Sequence, residues 1–285
     1  EEIEGVVNET SYNSFSYDSK VDTNAKYVAI NGVRYKYEDV QYNILGRNVR
    51  AFVKKDGNSG TVVAMDTERD NKIFTCALYD LSMTSEGNIT YSTDSGKIRT
   101  INYTGGIAVY NGRTLKSLSQ DYFERDGYSE FIDNDNDGIY EVVHITSYGY
   151  VTVGNVDSLN RRIGDANSAE NSLDFSGCND GMVKFYDING DEISIYGIQA
   201  GMALETVVPE DTSFAVVSVI ESNVTGVLES IGDDFFEIDG TKYKTTQYFD
   251  KYCKADVVIG LNYKFYLGYG GRIVTCLLYT SDAAD

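Results

Sequence analysis

Apolar and polar residues alternate with a period of two along most of this sequence, and short segments rich in Gly, Asn and Asp separate the alternating stretches. We find no window with the sustained 3.6-residue apolar period that an amphipathic helix requires. The 24 Tyr and 12 Phe favour strands, and the 27 Gly, against a single Pro, provide turns. The sequence therefore predicts a mainly β chain of tandem small β-sheet or barrel-like modules with little helix.

Two segments near the ends of the chain, 4–65 and 222–275, share one pattern of strands and turns. Each starts with a Gly-Val strand and continues into a hairpin, around Asn31-Gly32 in the first segment and Asp239-Gly240 in the second. Each then has a glycine before a third strand and a turn before the last. We predict that the second segment repeats the fold of the first.

The Asn31-Gly32 turn fixes the register of its hairpin, because both positions of such a turn need residues that tolerate positive φ. We expect Ile30 to oppose Val33 on the buried face, and Ala29 to oppose Arg34 on the other face.

We divide the chain into four β modules and a tail. The second module holds an acidic hairpin, and the third pairs residues 183–188 with 191–195 across a second Asn-Gly turn. The modules span residues 1–76, 77–157, 158–221 and 222–275, and the tail is 276–285.

The tail reads CLLYTSDAAD and is unrelated to the alternation upstream. It resembles the translation of a transposon-end sequencing adapter, so we predict a non-native segment and exclude it from fold reasoning. On that interpretation the native chain runs on past Thr275. The alternative is an ordinary flexible terminus.

The most specific local feature is the acidic hairpin tip at 133–138, between two apolar strand patterns. Asp133, Asp135, Asp137 and Glu141 have the D-x-D-x-D-G-x-x-[DE] spacing of a short calcium loop. Alternate carboxylates in a tight turn converge on one point, and hard oxygen ligands suit Ca²⁺. The sequence predicts a weak structural calcium site, and it indicates no other cofactor.

Two observations limit this prediction. The twelfth position of an EF-hand loop would be His144, which cannot supply a bidentate carboxylate, so a full EF-hand is excluded. The alternative to calcium is an exposed tip made of good turn formers. The segment 187–191 is a weaker acidic turn of the same kind.

The formal net charge of −20 excludes some classes of partner. Such a chain repels phosphodiester backbones and anionic lipid surfaces, so nucleic acid is not expected. A run of about 18 apolar residues, as needed to cross a membrane, is missing from the sequence. The four Cys have no metal-binding spacing, and we predict buried thiols.

The residues do not indicate an enzyme. His144 is the only histidine, and its strand position predicts a structural side chain, so hydrolysis of the serine or cysteine type lacks its proton carrier. A carboxylate pair for glycoside cleavage is not singled out by any spacing. Aromatic residues on outward faces of strands could stack on sugars or on a partner protein; we expect this of Tyr37, Phe52, Tyr148, Tyr150, Tyr266 and Tyr269.

Several motifs follow one another in a recognisable order: L-G-x-x-V-x-x-F at 45–52, FIDNDNDGIYEVVHI at 131–145, YVTVGNVD at 150–157 and F-x-I-D-G-T-K-Y at 236–243. Together they resemble the non-catalytic region of large Gram-positive cell-surface proteins that carry S-layer homology repeats elsewhere in their chains. The resemblance covers most of residues 27–275. It implies an extracellular location in the cell wall or S-layer; the wall-binding repeats themselves are not in this sequence.

We therefore expect a non-enzymatic structural or interaction segment of a bacterial S-layer-associated surface protein, with wall polymers or other surface proteins as partners. One alternative is a module that binds wall or host polysaccharide. Another is a structural protein of a phage tail or fibre.

Overall fold

The computed structural model describes residues 1–57, 59–67, 71–93, 95–179 and 181–279. The chain divides into two compact units, Glu1–Ser147 and Tyr148–Asp285. Strands dominate both units, and the described residues contain one short α-helix. The predicted mainly β architecture of small sheets with little helix is confirmed.

The first unit begins with a closed five-stranded barrel in the order β1-β2-β3-β5-β4. Its strands are β1 (Glu2–Thr10), β2 (Tyr27–Ile30), β3 (Val33–Lys36), β4 (Asn48–Asp56) and β5 (Ser59–Asp66). The barrel closes through a parallel pairing of Lys36 in β3 with Thr61 in β5.

The first hairpin has the predicted register, with Ile30 opposite Val33 and Ala29 opposite Arg34. Asn31 and Gly32 both have positive φ, of 50° and 81°, as the Asn-Gly turn requires. The predicted division into a buried and a wet face is wrong, because Val33 is 53% exposed whereas Ala29 is 1% exposed. The whole of β2 is buried, which period-two alternation does not foresee.

The remainder of the first unit is a five-stranded sheet in the order β11-β10-β13-β12-β6 and a small sheet β7-β8-β9. Its strands are β6 (Lys72–Ala77), β7 (Leu81–Met83), β8 (Ile89–Ser92), β9 (Ile98–Thr100), β10 (Tyr103–Tyr110), β11 (Arg113–Thr114), β12 (Gly127–Asp133) and β13 (Tyr140–Ser147). Strands β12 and β13 form the predicted acidic hairpin. One face of this hairpin, with Phe131 and Val143, lies in the apolar core of the unit.

The second unit begins with a seven-stranded sheet in the order β16-β15-β14-β19-β20-β17-β18. Its strands are β14 (Gly149–Asp157), β15 (Arg162–Asp165), β16 (Leu173–Asp174), β17 (Val183–Tyr186), β18 (Glu192–Ile193), β19 (Ala203–Val207) and β20 (Ala215–Val219). Strands β17 and β18 pair across the second Asn-Gly turn as predicted. Phe185, Leu204 and Val217 belong to its core.

Two strands pair across the module boundaries that we drew from the sequence. β6, which we placed in the first module, pairs with β12, and β14, which we placed with the acidic hairpin, pairs with β19. In both cases the partner lies about 50 residues away. Local patterning identifies a strand but does not specify so distant a partner.

A second five-stranded sheet, in the order β23-β22-β21-β24-β25, completes the second unit. Its elements are β21 (Asn223–Ile231), β22 (Phe235–Ile238), β23 (Thr241–Lys244), α1 (Gln247–Tyr252), β24 (Asn262–Leu267) and β25 (Ile273–Leu278). An isolated parallel bridge between Thr245, the residue after β23, and Ile273 in β25 brings the two edges of this sheet together, and we call the sheet the C-terminal barrel. Helix α1 begins at Gln247, and the side chain of its N-cap residue Thr246 accepts a hydrogen bond from the Phe249 N–H.

The strands of the C-terminal barrel pair in the same register as those of the first barrel, although only the C-terminal barrel has a helix between its third and fourth strands. Gly5 pairs with Val49 in the first barrel and Gly226 with Tyr263 in the second, and the whole pairing of β1 with β4 has the same register as that of β21 with β24. Each barrel has a bulge after the strand residue that pairs with Ile30 or Ile238.

The turns also correspond. The Asn31 side chain accepts a hydrogen bond from the Val6 N–H at 3.1 Å, and the Asp239 side chain accepts one from the Val227 N–H at the same distance. The strand orders and these turn contacts therefore coincide in the two segments.

The first three residues of the predicted non-native tail extend β25, with Leu278 opposite Tyr263. Leu277 and Leu278 are 39% and 54% exposed, although they lie in a strand. Residues 280–285 lie outside the described residues. The adapter interpretation stays a prediction.

Candidate metal-binding loop

The acidic loop connects β12 to β13. Asn136 and Gly138 have positive φ, of 67° and 91°, so the backbone doubles back within six residues and brings alternate side chains to one side. Asp133, the last residue of β12, is 2% exposed, whereas Asp135 and Asp137 are exposed.

The structure brings all four predicted ligands together. Asp133, Asp135, Asp137 and Glu141 each offer a carboxylate oxygen, and these oxygens lie within 4.8 Å of one another. Among the described residues, this is the one group of three or more acidic, histidine or cysteine side chains with such geometry. The weaker turn at 187–191 does not assemble an equivalent group within the same residues.

Backbone N–H groups hold the loop in this shape. Asp133 accepts hydrogen bonds from the N–H of Asn136 at 2.6 Å and of Gly138 at 3.1 Å. Glu141 accepts one from the Asn134 N–H at 2.9 Å. These bonds preorganise the carboxylates, and each oxygen keeps lone pairs for a further partner.

The charge balance of the loop favours a cation. The Lys72 ammonium lies 3.7 Å from the Asp133 carboxylate and is 61% exposed at its side chain. Burial, followed by repulsion from Asp135 and Asp133, raises the pKa of Glu141, although the Asn134 N–H stabilises its charged form. A hard divalent cation would offset this repulsion, and carboxylate oxygens are the ligands that Ca²⁺ prefers.

The loop is also tied to the first barrel. The Asn134 side chain donates to the carbonyl of Gly46 at 2.8 Å. The face of the β12–β13 hairpin opposite the core meets the barrel in the same region, and we call the barrel segment 44–47 the docking loop. A Cβ on Gly46 would lie 2.4 Å from Val142 Cγ2, so only glycine admits the valine there.

His144 lies on this docked face and does not face solvent. It is 3% exposed, and its Nε2 lies 2.6 Å from the carbonyl oxygen of Leu45. Because a carbonyl only accepts, Nε2 carries the proton. Burial is the main cause that lowers the pKa of His144 to about 4, so the imidazole is neutral at physiological pH.

A buried ion pair completes the docked face, and the sequence analysis missed it. Arg47 Nη2 lies 3.1 Å from both carboxylate oxygens of Glu130, and the two side chains are 6% and 16% exposed. The partners are 83 positions apart in the sequence, so no local signal predicts the pair.

The outward aromatic residues differ from one another in exposure. Tyr150 is 3% exposed and lies in the core of the C-terminal barrel, so its predicted outward position is wrong. The period-two alternation assigned Tyr150 to the solvent-exposed face, but residues of the C-terminal barrel cover the seven-stranded sheet at this position. Phe52 is 44% exposed, as expected, and Tyr148 stacks on Tyr269 with ring centroids 5.6 Å apart.

One unusual acid was not foreseen from the sequence. Glu205 in β19 is opposite Tyr150 and accepts a hydrogen bond from the Tyr269 N–H at 3.2 Å. Burial raises the pKa of Glu205 to about 7, although the Tyr269 N–H and the Tyr150 hydroxyl both favour its charged form. Its strand reads as ordinary alternation, and nothing in that pattern marks this position.

All four cysteines are free thiols. Cys76, Cys178 and Cys253 are buried, as predicted, whereas Cys276 is half-buried, so the prediction is wrong for the fourth thiol. Burial raises the pKa of Cys76 and Cys253 to about 11, so neither thiol is a nucleophile at neutral pH. A cavity of about 280 Å³ in the first unit is lined by Met83, Tyr103, Gly106, Leu115 and Lys116, among others.

No protein-family model matches this chain, and no curated protein matches it either. Within the described residues, no helix has the length and apolar character needed to cross a bilayer.

Proposed function

We propose that this chain is a non-enzymatic spacer and assembly segment of a bacterial cell-surface protein, in the cell wall or S-layer. The proposal is supported by the position of three polar residues in a contact between sheets. Arg47, Glu130 and His144, which would be reactive in a cleft, are buried where the first barrel meets the next sheet. Such contacts set the spacing of β modules.

The proposed location rests on the family resemblance and is consistent with the charge. A chain with a net charge of −20 stays soluble outside the cell and attracts divalent cations. An antibody against the recombinant chain should label intact cells of the organism that encodes it. Label found only after lysis would contradict an extracellular location.

Within this proposal, the acidic loop binds Ca²⁺ as a structural ion. The cation is held by Asp133, Asp135, Asp137 and Glu141, and it stiffens the hairpin that contacts the first barrel. We expect a rise in melting temperature as Ca²⁺ is titrated to millimolar concentration, since a cation at ten times its Kd stabilises the folded state by about 1.4 kcal/mol.

The matched variants are Asp135→Asn in the loop and Asp187→Asn in the other acidic turn. Asp135→Asn should abolish the calcium-dependent rise in melting temperature, and Asp187→Asn should leave it intact. A melting temperature that does not respond to Ca²⁺ in the unaltered chain would show that the site does not bind the ion.

The second candidate function is binding of wall or host polysaccharide. It is favoured by an aromatic residue at the same position of both barrels, the exposed Phe52 in β4 and the half-buried Tyr266 in β24. Phe52→Ala and Tyr266→Ala should then abolish retention on purified wall material. Unchanged retention would leave the spacer role as the better account.

A further inference from the structure

The two barrels share the backbone of one loop and differ in the exposure of its side chains. Gly46 N–H donates to Val7 O at 2.7 Å in the first barrel, and Gly260 N–H donates to Leu228 O at 2.8 Å in the second. Both glycines have positive φ, of 82° and 90°. The docking loop 44–47 therefore corresponds to residues 258–261.

The side chains of the two loops have opposite exposure. In the first barrel Ile44 and Leu45 are 2% and 0% exposed, because the docking loop packs against the β12–β13 hairpin. In the C-terminal barrel Val258 and Ile259 are 57% and 54% exposed. Apolar side chains are thus retained at the equivalent positions without equivalent burial, and grouped exposed apolar residues mark interaction surfaces.

The shape of the docking site is retained as well. Val142 fills the notch that the missing Cβ of Gly46 leaves, whereas a Cβ on Gly260 would meet nothing within 4 Å. The carbonyls of Leu45 and Gly46 accept from His144 and Asn134, and the corresponding carbonyls belong to Ile259 and Gly260.

We infer that the surface formed by Val258, Ile259, Gly260 and Leu261 binds a β module built like residues 72–147. The contact resembles the one that the docking loop makes with residues 72–147 in the first unit. A branched apolar side chain enters the notch at Gly260, and side-chain donors on the partner reach the carbonyls beside it.

One difference between the loops specifies the partner further. Leu261, 42% exposed, replaces Arg47, which pairs with Glu130 in the first unit. A carboxylate buried against Leu261 would lack a partner, which costs several kcal/mol. The partner therefore carries an apolar residue where the 72–147 sheet has Glu130.

A second copy of this chain does not fit as the partner. Its own 72–147 sheet would have to present Val142 and His144, but these are 1% and 3% exposed because the docking loop of the same unit covers them. The inference extends the proposed spacer role, and its test is separate, since a failure to dock would not affect the cell-surface location or the calcium site.

The test is a tandem protein. Thr275 in the C-terminal barrel occupies the position that Ala64 has in the first barrel. In the tandem protein, residues 1–275 are therefore joined directly to a second copy of residues 65–147. The appended copy carries Glu130→Leu to match Leu261. It also brings a second histidine into a chain that otherwise has one.

The appended histidine reports docking through its NMR titration. If the appended sheet docks, that histidine is buried and titrates near 4, as expected for His144; if it does not dock, the histidine titrates near its ordinary value of 6.5. The appended copy with His144→Gln assigns the two signals. We expect the low value, together with at least about tenfold slower amide exchange across residues 257–261.

The matched control is the tandem protein with Val258→Asp and Ile259→Asp, which alters only exposed side chains of the barrel. It should return the appended histidine to about 6.5. A pKa near 6.5 for the appended histidine in the unaltered tandem protein would overturn the inference. An appended sheet that stays unfolded would also overturn it, since the same sheet folds beside the first barrel. Dimerisation of the original chain that these two substitutions abolish would identify a second copy as the occupant, and it would overturn the inference too.

Discussion

The half-buried acid Glu205 should make the second unit less stable at alkaline than at acidic pH. Its carboxyl is held between the Tyr150 side chain and the Tyr269 backbone, where burial disfavours the charge more than these two groups stabilise it. The substitution Glu205→Gln keeps the shape and the acceptor for the Tyr269 N–H, and it removes the charge.

The sign and magnitude follow from the raised pKa. In the unfolded chain Glu205 ionises near 4.5, and in the folded chain it ionises near 7. The folded state therefore holds the proton more tightly, so stability falls as pH rises from 4.5 and levels off above 7. A shift of this size corresponds to about 3 kcal/mol. Glu205→Gln should thus stabilise the second unit by about 3 kcal/mol at pH 8.5 and by less than about 1 kcal/mol at pH 5.

The measurement is urea denaturation at the two pH values, monitored by hydrogen exchange in peptides from β19 and β24. These peptides report on the second unit. Glu221→Gln is the matched control, because it removes the same charge from an exposed position in the same unit. Its effect should be small and equal at both pH values. If Glu205→Gln changes the free energy of unfolding equally at pH 5 and pH 8.5, the carboxyl is not held in the low-polarity site that we describe.

Two further predictions concern the docked face in the first unit. Gly46→Ala should destabilise that unit by about 2–4 kcal/mol, because the new Cβ collides with Val142 and the positive φ is strained. Gly260→Ala should cost about 1–2 kcal/mol, because it introduces the backbone strain alone. Equal losses of stability in thermal denaturation would contradict the packing at Gly46. Arg47→Met should cost about 3–5 kcal/mol of stability, because it leaves the buried carboxylate of Glu130 without its partner. Adding Glu130→Leu should recover most of that loss. A double variant as unstable as the single one would show that the ion pair is not the source of the cost.

Features with a local physical cause could be predicted from the sequence. The Asn31-Gly32 and Asp239-Gly240 turns determine the hairpin registers, because few residues tolerate their backbone angles. The spacing of Asp133, Asp135 and Asp137 likewise predicted their convergence, since alternate residues of a tight turn share a side. In each case the interacting residues lie within a few positions of one another.

Features that depend on distant contacts could not be predicted in this way. The ion pair of Arg47 with Glu130 and the burial of Glu205 depend on which sheets pack together, and alternation does not contain that information. The error at Val33 has the same origin. Period two shows which residues share a face, but it does not show whether one face or both will be covered.

The internal repeat separates the residues that build a barrel from those that connect it to a neighbour. Gly5 and Gly226 are both required, because a Cβ at either position would collide with the turn residue beside it, Asn31 or Asp239. Arg47 and Leu261 occupy equivalent positions in the same fold and differ completely in chemistry. Since the barrel tolerates both residues, barrel stability does not determine the choice at this position. The choice is set by whatever lies against the loop, and in the first unit that is the carboxylate of Glu130. We therefore expect a change at the position after the loop glycine to alter which module docks there while leaving the barrel folded.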